Sequence, residues 1–205
     1  MSKREQQKAA TQQKLLNEAK RLFIEQGYEG TTTRQVATAC GVSIGTVFAH
    51  FPDKVALLKA ILFHDIERIL ATVHDRLRPD TSAFTAYLIY ARALYGFYSE
   101  HPPLSQALLA NSLFQYAAFE EQLRGYIQEL SARLVLVDGC SQEDADTVAY
   151  NLMANYFLVL MEGLASGNTN PEQWLHKLER LIGPLRDWVR ASQSVLRWGE
   201  SDKRS

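Results

Sequence analysis

Cysteine is scarce in this 205-residue sequence: Cys40 and Cys140 are the only two, a hundred positions apart. With no CxxC pair and no Cys/His spacing, neither a disulfide framework nor a zinc site is suggested, and both read as ordinary thiols. Long apolar runs are missing too. No stretch approaches the roughly 18 apolar residues of a membrane-crossing helix, and no N-terminal apolar segment reads as a signal peptide, so a cytoplasmic protein with no membrane partner is expected. No segment keeps a period-two alternation, and no Asn-Gly or Asp-Gly pair sits between apolar runs, which argues against hairpins. There is no Gly-rich phosphate loop, and His64, His74, His101 and His176 are scattered without a nucleophile or carboxylate at helical spacing. An enzyme is therefore poorly supported, and no cofactor or metal is expected.

What is present is a 46% apolar chain with a net charge of −1, long enough for a continuous core. The small net charge hides an asymmetry. Residues 1–60 hold nine Lys/Arg against five Asp/Glu, a surplus of four, so the remaining 145 residues carry a deficit of five. A basic end on an acidic body fits a polyanion that meets the first part only, as in a DNA-binding head, although an uneven surface gives the same count.

The periodicity is helical throughout. Leu15, Leu16, Ala19, Leu22 and Phe23 share one face of a first helix that Gly27 can close. Further helices are expected over about 53–77, 82–100, 103–111, 115–137, 143–166 and 171–192, separated by segments rich in Pro, Gly, Ser, Asn and Asp. Gly183-Pro184 should kink or split the last one. The C-terminal residues are expected to fray.

Residues 34–54, RQVATACGVSIGTVFAHFPDK, hold the most informative pattern. Thr32 or Thr33 is a good N-cap, and Arg34 to Cys40 make two turns whose inner side is Val36, Ala37 and Cys40. Gly41 suits a turn that needs positive φ, and Ser43 caps a second short helix in which Val47 faces back toward Val36, Cys40 and Val42. This is a helix-turn-helix, with Ala37 small where the two helices cross.

The motifs Thr-Thr-Thr-Arg-Gln-Val-Ala at 31–37, Gly-Val-Ser at 41–43, Gly-Thr-Val-Phe at 45–48 and His-Phe-Pro-Asp-Lys at 50–54, with Leu57 and Leu58 after them, resemble the N-terminal domain of the tetracycline-repressor (TetR) family of bacterial transcription regulators. The resemblance covers about residues 10–60. It implies an all-α chain: a three-helix DNA-binding head with a basic N-terminal arm over 1–52, on a larger helical ligand-binding and dimerisation body over 53–205. The implied partners are a palindromic double-stranded DNA operator, a small-molecule effector and a second copy of the chain, with repression relieved by the effector.

In the head, the helix starts at Thr33 and Ser43 are suited to phosphates and their hydroxyls can add bonds, Thr32 beside them is a further DNA-binding candidate, and Lys54 matches the family's phosphate-contacting Lys. Lys3, Arg4 and Lys8 would form a mobile basic arm. For each of these a cap or a solvated charge is the alternative. Where the family often has a long polar side chain after Gly-Val-Ser, this sequence has Ile44, which offers no fork to guanine but can meet a thymine methyl. Gly45 would let backbone approach the duplex, and Phe48 keeps the ring of the family's common Tyr without its hydroxyl. Arg34, Thr46 and His50 are the remaining polar candidates, with packing an equal reading for His50.

Two patterns stand out in the body. Trp174, Leu178, Leu181, Ile182, Leu185, Trp188 and Val189 form a stripe, and 148–165, which includes Val159, is apolar on nearly every side apart from Asn151, Asn155 and Glu162. Such helices need cover on two sides, from a second copy or from the chain's own core. Val159, Trp174, Leu178, Leu181, Leu185 and Trp188 are the candidate dimer seam. The second pattern is aromatic: Phe84, Tyr87, Tyr95 and Tyr98 share one helix face. Tyr87, Tyr95 and Tyr98, with Phe114, Tyr126, Tyr150 and Tyr156, are the candidate lining of an effector cavity, and a plain aromatic core is the equal alternative. A helical, dimeric architectural protein without a ligand remains the other class.

Overall fold

The structure is a computed structural model and describes residues 2–112 and 116–201, the side chains of 116–123 and 193–201 excepted. Among the described residues there are nine helices and no strand: α1 Lys3–Gln26, α2 Thr33–Cys40, α3 Ile44–His50, α4 Lys54–His74, α5 Ala83–Glu100, α6 Pro102–Ser112, α7 Tyr116–Leu136, α8 Gln142–Ala165 and α9 Pro171–Ser201. The all-α expectation holds.

The caps explain the boundaries. Ser2 accepts from Glu5 N–H while the Glu5 carboxylate accepts from Ser2 N–H, so α1 begins at Lys3. Lys3, Arg4 and Lys8 therefore stand exposed on an ordered helix instead of a mobile arm. Asp53 Oδ1 accepts from Ala56 N–H at 2.7 Å and opens α4. Asp138 does the same for α5 from a loop 55 residues away, accepting from Ala83 N–H at 2.7 Å. Pro184 does not split the last helix: α9 runs through it. The missing N–H removes one ladder bond, and Trp174, Leu178, Ile182 and Val189, on both sides of the proline, are all buried.

The chain divides into two compact units, residues 1–68 with 101–114, and 69–100 with 115–205. Compactness therefore does not divide at the Pro52-Asp53 break where the sequence suggests a boundary; most of α4 and all of α6 cluster with the head helices. In the first unit α2 packs on α1 and α3, with Leu15, Ala19, Val36 and Val47 buried on these helices. In the second, α5 lies against α7, α8 and α9, and α8 against α7 and α9. By length and composition α8 is apolar enough to cross a membrane. Ala145, Val148, Ala149, Leu152, Tyr156, Val159 and Leu160 are instead buried among the helices of this unit, as in a core helix.

Candidate nucleic-acid interface

The geometry of the head begins with Thr31, which the sequence places in the 31–37 motif without a role of its own. Its side chain is fully buried, and its hydroxyl, 3.1 Å from Leu22 O and 2.9 Å from Gly27 O, ties the end of α1 to the loop before α2. Thr32 is the N-cap: its Oγ1 accepts from Gln35 N–H at 3.2 Å, and Gln35 Oε1 accepts from Thr32 N–H at 2.7 Å. At the far end Gly41 takes a left-handed conformation, φ 63° and ψ 34°, and Val42 N–H donates to Ala37 O at 3.0 Å. Ser43 then caps α3, accepting from Thr46 N–H at 3.1 Å. Val36, Ala37, Cys40 and Val47 close the space between α2 and α3, and Lys14 of α1 donates to Cys40 O at 3.0 Å.

This packing decides which side of α3 faces out. Val47 is fully buried and the following Phe51 nearly so, whereas Ile44 is 37% and Phe48 49% exposed, with Gly45 and Ala49 exposed beside them. Thr46 is half-buried, and its hydroxyl lies 2.9 Å from that of Ser43. His50 is half-buried, with its ring 6.3 Å from that of Phe51. Arg34 is exposed on α2 and Thr33 half-buried. Gly45 is not demanded by the fold, since a Cβ there would meet only Ser43 Oγ at an ordinary 3.6 Å.

Lys54 is not a free surface charge. Its ammonium donates to Tyr28 O at 2.9 Å, sits 4.2 Å from the centre of the Tyr28 ring and lies 3.6 Å from Glu29 Oε2. A partner 26 residues away gave no signal in the sequence.

Residues 15–61 match the family model described as bacterial regulatory proteins, tetR family. The match lies within the first unit and takes in α2 and α3. Over 65 residues it is 42% identical to the HTH-type transcriptional repressor AcnR of Corynebacterium efficiens, a match covering 32% of this chain and 35% of that one. The chain thus spans about a third of the length of the curated relatives it matches first. Among solved structures, a transcriptional regulator from Rhodococcus sp. Rha1 is 24% identical with TM-score 0.62, over 84% of this chain and 94% of that one. FadR of Bacillus subtilis, solved in complex with stearoyl-CoA, is 12% identical with TM-score 0.61, over 83% and 97%. These two share the fold. The relatives are named as transcription regulators and repressors.

In the second unit the aromatic candidates separate. Tyr87 and Tyr95 are fully buried and their hydroxyls are used: Tyr87 donates to Leu152 O at 2.6 Å and Tyr95 to Tyr156 O at 3.0 Å. The Tyr95 ring stacks on Tyr156 at 4.9 Å and meets Trp174 edge-on at 5.7 Å. Tyr98 and Tyr156 are buried as well, and burial pushes the phenols of Tyr87, Tyr95, Tyr98 and Tyr156 upward, so all four stay protonated donors. Among the described residues the buried Tyr156 Oη has no hydrogen-bond partner. Tyr126 is half-buried, edge-on to Tyr90 at 5.0 Å. Tyr150, at 59% exposure, lines no interior cavity, because its side of α8 faces solvent. Phe114 lies outside the described residues.

The seam candidates separate in the same way. Val159, Trp174 and Leu178 are covered by the chain's own helices, at 1%, 3% and 0% exposure, so periodicity misplaced them on an outer face. Leu181 and Trp188 are exposed, at 39% and 47%, and Leu185 is half-buried. On α8 the outward apolar residues are Tyr150, Leu158 and Met161, of which the sequence reading had placed only Tyr150, in a pocket. Cys140 has its thiol pushed upward by burial, with Asp138 and Asp144 adding to it, the opposite of a reactive thiolate.

Proposed function

We propose that this chain is a ligand-responsive transcription regulator of the bacterial cytoplasm, which binds a palindromic operator as a homodimer, represses from it, and leaves it when an amphipathic or aromatic small molecule binds the body. The observation that carries the DNA-binding half is the solvent face of α3, which the buried Val47 turns outward in a head whose exposed cations include Lys3, Arg4, Lys8 and Arg34. The N-terminus of α2, with Thr32, Thr33 and Arg34, supplies backbone N–H groups to a phosphate. Lys54 remains in the phosphate set, because the Tyr28 carbonyl uses one of its three donors and a phosphate would displace only the exposed Glu29.

Dimerisation is supported by apolar side chains left in water. Tyr150, Leu158 and Met161 fall on one face of α8, and Leu181 and Trp188 on one face of α9, at helical spacing. Two copies related by a two-fold axis would cover both faces in a four-helix seam. The effector is supported by the buried, unpartnered hydroxyl of Tyr156, which a ligand acceptor would satisfy, with Tyr98 and Tyr126 as neighbouring candidates. FadR with its stearoyl-CoA makes a long-chain acyl thioester a reasonable first probe. α4 begins in the first unit and ends in the second, so it is the lever through which a body conformation would bias the heads.

A second reading keeps the head and drops the effector, and the internal hydrogen bonds of Tyr87 and Tyr95 favour it. Selection of bound duplexes from a random pool, followed by melting and release screens, tests both. The expected result is an inverted repeat with half-sites about one helical turn apart and a compound that raises the melting temperature and releases the duplex. A pool without a symmetric motif counts against the dimeric head. A hit unaffected by Tyr156→Phe places the ligand elsewhere.

A further inference from the structure

The four exposed residues of α3 are Ile44, Gly45, Phe48 and Ala49. None has a side chain that can donate or accept a hydrogen bond. The polar residues of the same helix are otherwise engaged: Thr46 pairs with Ser43, and His50 is half-buried beside Phe51. Ile44 and Phe48 stand four apart on a helix, hence on one face and about 6 Å from each other along the axis. A base reader built this way cannot use the fork-to-guanine or amide-to-adenine contacts that dominate direct readout. The one base-edge feature of the major groove that an apolar side chain recognises is the 5-methyl group of thymine.

We infer that α3 reads its operator through thymine methyls, Ile44 and Phe48 each covering one, at positions about two base steps apart in each half-site. This rests on the DNA-binding reading given above. A protein or lipid partner for the same ridge is disfavoured by its flank, since the exposed Arg34 lies on α2, the helix packed against α3, and Lys3, Arg4 and Lys8 are exposed in the same unit. That charge suits a polyanion. Gly45 fits as well: its Cβ position is open within the fold, so the bare backbone between the two apolar side chains is room for the groove edge.

The test replaces thymine by uracil, which removes the methyl and leaves the pairing edge unchanged. A duplex selected from a random pool is resynthesised with single thymine-to-uracil changes across one half-site, and the affinity of the full chain is measured by fluorescence anisotropy. Burying one methyl is worth about four-fold in affinity. Wild type should lose roughly that factor at two positions, one lost from the profile of Ile44→Ala and the other from that of Phe48→Ala. Both substitutions are at exposed sites, and unchanged melting curves confirm folding. Tight, salt-sensitive binding that is indifferent to uracil at every position overturns the inference and leaves the DNA-binding reading intact. Recovery of no preferred duplex at all overturns that reading, and the inference with it. Uracil effects that persist undiminished in both variants show that other residues read the methyls.

Discussion

The indole of Trp174 fills the space that any side chain on Gly163 would need: a Cβ built on Gly163 would overlap Cε2 and Nε1 of the buried Trp174. Gly163 of α8 thus leaves room for a side chain of α9, and the same indole meets Tyr95 edge-on. Gly163→Ala should therefore overpack the body and destabilise it by about 1–3 kcal/mol, read as a lower melting temperature. A melting temperature at or above wild type would mean that Trp174 can move aside at no cost.

Exposure on α9 separates two kinds of apolar position three residues apart. Leu181→Glu and Trp188→Glu place carboxylates on the outward face, where each would lie near its symmetry mate in a dimer. Sedimentation should show folded monomers for both. Leu178→Glu buries a charge with no partner and should unfold the body instead. A stable dimer in both outward variants moves the seam elsewhere.

Much of the head was legible in the sequence because its determinants are local. Thr32, Gly41 and Ser43 act within four residues of themselves, and Val36 and Cys40 share a face of α2 by helix period alone. The Thr31 and Lys54 contacts were not legible, since Leu22, Gly27 and Tyr28 are brought to them by the course of the chain. In the body, periodicity gave angular positions on each helix but not what covers them. Leu178 and Leu181 belong to the same stripe, and only the packing of α5 and α8 on α9 makes one core and the other surface. Tyr150 and Tyr156 differ for that reason too.

Asp138 gives a pH dependence of known sign. Burial raises its carboxyl above the usual range, opposed by the hydrogen bond from Ala83 and by the Arg190 charge. The folded state thus holds the proton more tightly than the unfolded chain. Its contribution to stability is fully present below the ordinary carboxylate value and is lost as pH rises through the raised one. Asp138→Asn keeps an acceptor for α5 and removes the charge, so melting curves from about pH 4 to 7 should be flatter than wild type. Asp138→Ala also loses the cap, at about 1 kcal/mol. A steeper pH dependence in the Asn variant would contradict the sign.

Gly45 should trade stability against binding. Its backbone does not need positive φ and its Cβ space is open, so Gly45→Ala should stabilise the head by about 0.5–1 kcal/mol. The added methyl projects from the outward face of α3, so operator affinity should fall in the same variant. Equal or tighter operator binding would show that the duplex does not approach this backbone.

The most direct measurement is the affinity of the full chain for its selected duplex with Phe48→Glu beside wild type, at several salt concentrations. Phe48 is 49% exposed, so the substitution should leave the melting temperature nearly unchanged while placing a negative charge against the nucleic acid. If the outward face of α3 is the DNA-binding surface, affinity should fall by at least about ten-fold, a like-charge cost of more than about 1.4 kcal/mol. Binding equal to wild type in a folded Phe48→Glu protein would contradict it.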